Sequence, residues 1–212
     1  MFLHFDMKKF LFVLTVGVFA AVIFFVPPVQ GLGELAKIIF FHIPTAWVSV
    51  IAFFTSAFFA ARFLKSGNFF HDELSARSAK LGFIFVILAT VSGAIFSKLT
   101  WGAFWNWDPR QTTIFVLILI YGAYLTLRSA VSNEKIRAKV SAVYSLLSVL
   151  TVPFLVFILP RMYFSLHPEP VLNSAGHLDM DGKILVVLLA AVIDATGIFI
   201  FLLKKIRLDI KK

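Results

Sequence analysis

WGAFWNWDPR, residues 101–110, lies between two long apolar stretches and holds three of the four tryptophans in the chain. Each indole presents a large apolar face and a single N–H donor. Three of them within seven residues, followed by Asp108 and Arg110, predict a flat surface that receives a planar apolar ligand. The alternative is an interfacial aromatic belt, in which tryptophans anchor helices at the depth of the lipid headgroups. A belt accounts for one or two tryptophans but not for this close spacing.

The composition of the whole chain is that of an integral membrane protein. Of its 212 residues, 60% are hydrophobic and 26 are Phe, and an apolar stretch of about 20 residues is long enough to cross a bilayer. The sequence predicts an all-α bundle of six transmembrane helices in a single polytopic domain, residues 1–212, without internal repeats. The predicted spans are Phe10–Val26, Ala36–Phe63, Ala79–Leu99, Thr112–Val131, Val140–Leu159 and Ile184–Leu203, with the tryptophan-rich loop at 98–111 between the third and fourth.

Two features that the sequence lacks narrow the class of protein further. No small-residue cleavage site follows the first span, which is therefore predicted to be a retained helix and not a signal peptide. The chain has no cysteine, which excludes disulfides, thiolate metal sites and thiol redox chemistry.

The net charge of +9 is an orientation signal and does not indicate nucleic acid binding. With the N-terminus in the cytoplasm, 15 of the 20 basic residues fall on the cytoplasmic side of six spans, as the positive-inside rule requires. Both termini are therefore predicted to face the cytoplasm. The five external basic residues are Lys37, Lys98, Arg110, Arg161 and Lys183.

This topology places three histidines on the same external face as the tryptophans. They are His42 near the start of the second span, His167 after the fifth, and His177 further along the same loop. Pro44 is expected in the first turn of its helix, where proline is tolerated. A histidine at a membrane edge needs a hydrogen-bond partner, a proton or a metal. A structural role is the ordinary alternative for a lone histidine.

Paired imidazoles beside an aromatic surface suit haem iron, with the histidines as axial ligands. Arg110 and Arg161 are then candidates for pairing with the haem propionates. A zinc site is the competing interpretation, with ligands from His167, Glu169, His177, Asp179 and Asp181. A solvated loop is the simpler interpretation of that polar segment.

WGAFWNWDPRQT resembles the tryptophan-rich "WWD" signature of the CcmC/CcmF/CcsA haem-handling family of cytochrome c maturation. The likeness is strongest to the short, six-span CcmC branch, whose pattern around the first external histidine is similar to HIPTAW, residues 42–47. The resemblance implies that His42 and His167 are the axial ligands of haem b in transit. It also implies a set of porphyrin-contacting residues: Trp101, Gly102, Trp105, Trp107 and Asp108.

The same resemblance implies a location in the bacterial cytoplasmic (inner) membrane, with the haem site on the periplasmic side. The implied partners are the haem chaperone CcmE, the ABC ATPase and membrane subunits CcmA and CcmB, the small protein CcmD, and the lipid bilayer. This chain has no G-x-x-x-x-G-K-[ST] loop, so ATP hydrolysis is expected in another subunit. With no acid/base pair or activated nucleophile, the chain is not expected to be an enzyme by itself.

Two features depart from the family pattern. Gln111 stands where many members have Leu, which predicts altered local packing or an added hydrogen bond. Pro168 directly follows His167, so His177 is the alternative second ligand.

Two other functions compete with haem handling. A membrane cytochrome that moves electrons needs histidine pairs at two depths, whereas His71 is isolated on the cytoplasmic side. A permease, such as the membrane subunit of an ABC transporter, is suggested by Asp194 in the middle of the last span. For Asp194 the favoured interpretation is a neutral or hydrogen-bonded contact with a neighbouring helix.

Overall fold

The structure is a computed structural model that describes residues 6–28, 32–167 and 181–210, with side chains as far as Lys204. Its regular elements are all helical. They are α1 (Met7–Phe25), a 3₁₀ turn (Glu34–Ile38), α2 (Ile39–Ser66), α3 (Phe69–Trp101), α4 (Pro109–Ala130), α5 (Glu134–Pro153), a π-helical turn (Phe154–Ile158), α6 (Leu159–Met162) and α7 (Gly182–Ile210).

Six helical segments in the described part of the chain are long and apolar enough to cross a membrane. They are Met7–Phe25, Glu34–Ser66, Phe69–Trp101, Pro109–Ala130, Glu134–Met162 and Gly182–Lys204. The predicted all-α, six-span, multi-pass fold is confirmed. The side of the membrane on which the termini lie stays a prediction.

The second and third spans form a tight antiparallel hairpin, because α3 begins at Phe69 and not at the predicted Ala79. Gly67 ends α2 in the left-handed conformation, with φ of 67°, and the Asn68 side chain caps α3 by accepting a hydrogen bond from the Phe70 N–H. The charged residues at the start of α3 lower its hydropathy but do not break a helix. Hydropathy alone therefore places the start of this helix too late.

A buried ion pair ties α3 to α4 near the end of the bundle opposite the tryptophan-rich loop. Arg128 donates from both terminal nitrogens to the two carboxylate oxygens of Asp72, at 2.7 and 2.9 Å. Closer to the middle of the bundle, Phe53 of α2 stacks on Tyr121 of α4 with ring centroids 3.5 Å apart. These contacts hold the hairpin and α4 together as one core, and this core positions the helix ends that form the site at the other end of the bundle.

Pro44 lies inside α2, not in the first turn as predicted, because α2 already begins at Ile39. Proline removes one backbone donor from the helix. The Thr45 hydroxyl adds a local bond by donating to the carbonyls of Phe41 and His42, at 2.8 and 2.9 Å.

Asp194 contacts a neighbouring helix, as the favoured interpretation predicted. The Thr15 hydroxyl of α1 lies 3.0 and 2.9 Å from the two carboxyl oxygens of Asp194 in α7. Leu11 of α1 also packs against Gly197, where a Cβ would lie 2.7 Å from its Cδ2 atom. Asp194 therefore fastens the first helix to the last, which weakens its value as evidence for a permease.

Candidate functional site

Three separate segments meet at one end of the bundle. They are the start of α2 with His42, the α3–α4 connection with the tryptophans, and the segment after α6 with His167. His42 contacts α3 directly, and His167 contacts both Trp101 and Asp108. The start of α2 packs on α3, which leads directly into the tryptophan-rich connection that His167 contacts. The structure thus places the three segments at the same end of the bundle, and their role as one site stays a prediction.

His42 lies in a notch on the surface of α3. Its Nδ1 atom is 2.9 Å from the Ala89 carbonyl oxygen and 3.2 Å from the Ser92 hydroxyl. A carbonyl oxygen only accepts, so Nδ1 carries the proton and Nε2 is left bare. The ring also needs the absence of a side chain at Gly93, because a Cβ there would lie 2.8 Å from His42 Cε1.

Asp108 is a buried carboxylate whose acceptor sites are all used. Its Oδ1 accepts from the Arg110 N–H at 2.9 Å and lies 3.0 Å from His167 Nδ1. Its Oδ2 accepts from the Ser165 hydroxyl at 2.9 Å and the Leu166 N–H at 2.7 Å. An ionised carboxylate offers about four lone-pair sites, and all are filled here. Burial opposes ionisation, but these hydrogen bonds outweigh it and hold the pKa of Asp108 below its ordinary value.

This position differs from the porphyrin contact predicted for Asp108. The side chain is 0% exposed, because it caps the start of α4 and at the same time binds the segment that carries His167. Asp108 therefore acts on the site indirectly, by holding His167, and does not offer an exposed surface of its own for contact with a ligand.

His167 is a neutral imidazole with a defined orientation. Burial lowers its pKa to about 4 despite the opposing pull of the Asp108 carboxylate, so the ring is uncharged at neutral pH. Its Nδ1–H donates to the Asp108 carboxylate at 3.0 Å, and Nδ1 also lies 3.5 Å from the Ser165 hydroxyl oxygen, so Nε2 is unprotonated, as in His42. Trp101 packs against the ring edge-on, with centroids 5.1 Å apart.

The three tryptophans do not form the single flat surface that their spacing predicted. Trp105 and Trp107 are perpendicular, with an interplanar angle of 90° and centroids 6.1 Å apart. Trp101 ends α3 and packs on Phe96 and His167. Trp107 is 75% exposed and has φ of 56°, which is uncommon for a side chain other than glycine. Strained backbone of this kind concentrates at functional sites.

Polar side chains brace the α3–α4 connection, which runs from Gly102 to Asp108 and is shorter than the predicted 98–111. Gly102 ends α3 with φ of 82°. The Asn106 side chain donates to the Ser97 hydroxyl at 2.7 Å, and the Asn106 N–H donates to the Gln111 side-chain oxygen at 2.8 Å. The predicted added hydrogen bond of Gln111 is thus present, and it fixes the loop.

The two candidate arginines differ in position. Arg110 is half-buried in the first turn of α4 and lies within electrostatic range of both His42 and His167. Arg161 is exposed in the short helix α6. Arg110 is therefore the better placed of the two to meet an anionic group of a ligand at the histidines.

Part of the external loop lies outside the described residues, including His177, Glu169 and Asp179. Within the described ranges no three His, Cys, Asp or Glu side chains are grouped as a metal cluster. The zinc interpretation and the alternative ligand His177 therefore both stay predictions.

Several residues that shape the site were not predicted. Gly93, Ala89 and Ser92 seat His42, and Ser165 links Asp108 to the segment of His167. A glycine inside a long apolar span was the one available signal, since such a residue often marks close packing.

The chain matches the profile of the heme exporter protein C family over residues 3–212. It is 28% identical to the heme exporter protein C of Bradyrhizobium diazoefficiens over 170 residues, which are 80% of this chain and 64% of that protein. It is 30% identical to the heme exporter protein C of Paracoccus denitrificans over 123 residues, 58% of this chain and 51% of that protein. The chain thus spans between about a half and two thirds of these curated relatives.

A shorter match reaches a second group of proteins. The cytochrome c biogenesis protein CcsA of Spinacia oleracea is 36% identical over 81 residues, 38% of this chain and 24% of that protein. Because the profile covers nearly the whole sequence, the chain belongs to the heme exporter protein C (CcmC) family.

Proposed function

We propose that this chain binds haem b on the external face of the bacterial cytoplasmic membrane and passes it on for cytochrome c maturation. His42 and His167 are the axial ligands, Trp101, Trp105 and Trp107 lie against the porphyrin, and Asp108 acts through His167. The receiver is the chaperone CcmE, and the ATP-hydrolysing step belongs to a partner complex of CcmA, CcmB and CcmD. The chain is then a haem-binding and transfer component and not an enzyme by itself.

The observation that carries the proposal is the state of the two imidazoles. Each has its Nδ1–H bound to an acceptor of the protein, the Ala89 carbonyl for His42 and the Asp108 carboxylate for His167. Each therefore presents an unprotonated Nε2, the atom that binds a metal when Nδ1 donates to a protein acceptor. Two unprotonated imidazole nitrogens from separate segments, without thiolates, suit the two axial positions of haem iron.

The rival functions fit these contacts less well. In the described part of the chain, His71 is the single histidine at the opposite end, and its Nδ1 already contacts the Ser66 hydroxyl at 3.0 Å. A second haem of an electron-transfer cytochrome would therefore lack a histidine pair there.

The test is the visible spectrum of the purified protein. We expect one haem b per chain with the Soret and α bands of bis-histidine ligation, whereas a two-haem cytochrome gives two and a permease none. His42→Ala and His167→Ala should each lose that signature and regain a six-coordinate spectrum with added imidazole. An unchanged spectrum in His167→Ala would point to His177 as the second ligand.

A further inference from the structure

The two candidate ligands have unequal partners, and that difference has chemical consequences. His167 donates to a carboxylate that is ionised, buried and bound at all its acceptor sites. His42 donates to neutral oxygens, the Ala89 carbonyl and the Ser92 hydroxyl. Hydrogen bonds with one ionised partner are about twice as strong as those between neutral groups.

A partner that draws the Nδ1 proton toward itself increases electron density on Nε2. Outer-shell carboxylates orient a metal-binding histidine and raise its basicity as a ligand. A neutral carbonyl or hydroxyl has the same effect to a smaller degree. His167 is therefore the stronger donor to a metal, and His42 the weaker.

We propose, building on the function above, that Asp108 is a positioning residue that makes His167 the retained ligand of the iron, and that the bond to His42 is the one that opens. When an incoming ligand enters the ferrous complex, the bond from His42 Nε2 to iron breaks and the new bond forms on that face. The iron neither gains nor loses an electron in this exchange. Haem remains held by His167, on the segment after α6, while the α2 side is freed.

The Asp108 hydrogen bonds show how this asymmetry is maintained. The carboxylate cannot turn toward another donor, because the N–H groups of Arg110 and Leu166 and the Ser165 hydroxyl hold it from both sides. His42, in contrast, is held by a single α3 turn whose serine also bonds its own helix, donating to the Leu88 and Ala89 carbonyls at 2.9 and 3.0 Å.

Carbon monoxide is a probe of the ligand that stays. The purified, haem-loaded protein is reduced with dithionite and exposed to carbon monoxide, and the C–O and Fe–CO stretches are recorded by infrared and Raman spectroscopy. These frequencies report the donor strength of the histidine on the opposite face. Asp108→Asn removes the charge and keeps an oxygen able to cap α4. We expect it to shift the stretches toward a weaker donor, whereas Ser92→Ala leaves them in place.

Ser165→Ala provides a second variant that keeps both the charge and His167. It removes one of the donors that share the negative charge of the carboxylate, so it should strengthen the pull on the His167 Nδ1–H and shift the stretches in the direction opposite to Asp108→Asn, but less far. A shift in Ser92→Ala without one in Asp108→Asn would show that His42 is retained, and no shift in any variant would show that Asp108 does not tune the retained ligand; either result overturns the proposal. A wild-type protein without bis-histidine bands before carbon monoxide is added would instead reject the proposed function itself.

Discussion

At the scale of single residues, the position of each histidine of the site is set by a few neighbours of a particular kind. His42 needs a carbonyl at 89 and no side chain at 93, while His167 needs the charge of Asp108. None of these neighbours is close in sequence to the residue that it positions. Sequence analysis found the histidines because imidazole chemistry is local, but it assigned Asp108 to the porphyrin because a hydrogen bond across 58 residues cannot be read from spacing.

Gly93→Ala tests the notch that seats His42. The new methyl would lie 2.8 Å from His42 Cε1, so the ring must leave the Ala89 carbonyl. We expect haem affinity to fall roughly tenfold, equivalent to about 1.4 kcal/mol. The helix itself should not suffer, since alanine is favoured over glycine in a helix by up to about 1 kcal/mol.

Gly122→Ala in α4 is the matched control, because a Cβ there meets only Phe83 at an ordinary 3.7 Å. Haem titration of both variants by absorbance checks the difference. Equal affinities in the two would mean that the notch does not position His42.

Arg110 tests recognition of the haem propionates. A guanidinium matches a carboxylate with two parallel hydrogen bonds, which an ammonium cannot reproduce. Arg110→Lys should therefore weaken haem retention in part, and Arg110→Gln should weaken it more. Haem per protein after purification measures this, with Arg161→Gln as a comparison at the exposed site.

Haem dimethyl ester, which has no free propionates, is the complementary probe. If the wild-type protein retains the ester as well as natural haem, neither arginine recognises the propionates, and the site holds haem by its iron and its ring.

At the scale of elements, the tryptophan loop is held by side chains of the two helices that it joins. Ser97 in α3 and Gln111 in α4 both bond Asn106, so the loop is fixed at its middle as well as at its ends. Hydropathy predicted the two helices but could not predict this bracing. It also missed the first turns of α3, whose Asp72 is charged yet buried against Arg128.

Gln111→Leu tests the contribution of this side chain to the loop. It leaves the Asn106 N–H without its acceptor at 2.8 Å, which costs about 1–3 kcal/mol if that group stays buried. We expect a lower midpoint of thermal unfolding in detergent. Tryptophan fluorescence measures this unfolding at the loop itself, because Trp105 and Trp107 flank Asn106.

Thr126→Val is the control, since the Thr126 hydroxyl bonds only the Gly122 carbonyl of its own helix among the contacts seen, at 2.9 Å. A midpoint unchanged in both variants would show that the loop keeps its shape without Gln111.

At the scale of the whole molecule, six spans bring segments that are far apart in sequence to one end of a bundle. Counting apolar stretches was sufficient for this, because alternating spans place the start of α2, the α3–α4 connection and the segment after α6 together. The perpendicular rings of Trp105 and Trp107 were not predictable, since the connection takes its shape from Trp107 with φ of 56° and from Asn106.

Reporter fusions test the orientation of this bundle. Fusions after Lys65 and Lys135 should report the cytoplasm, and fusions at Asn106 and Asn173 the periplasm, because the basic residues cluster in the first group of loops. A cytoplasmic signal at Asn106 would put the histidine site on the opposite face of the membrane and contradict transfer to a periplasmic chaperone.

The short turn at Gly67 and Asn68 also fixes the rotation of α3 about its own axis. Each residue of α3 rotates the helix by about 100° and advances it by about 1.5 Å, so the direction of the Ala89 carbonyl depends on how many residues separate it from that turn. One residue inserted between them would swing the carbonyl and the gap at Gly93 away from His42. Four inserted residues would return the carbonyl to within about 40° of its original direction, but they would displace it by about 6 Å along the helix axis. The position of the carbonyl that binds His42 thus depends on the number of residues between it and the turn at the opposite end of the bundle.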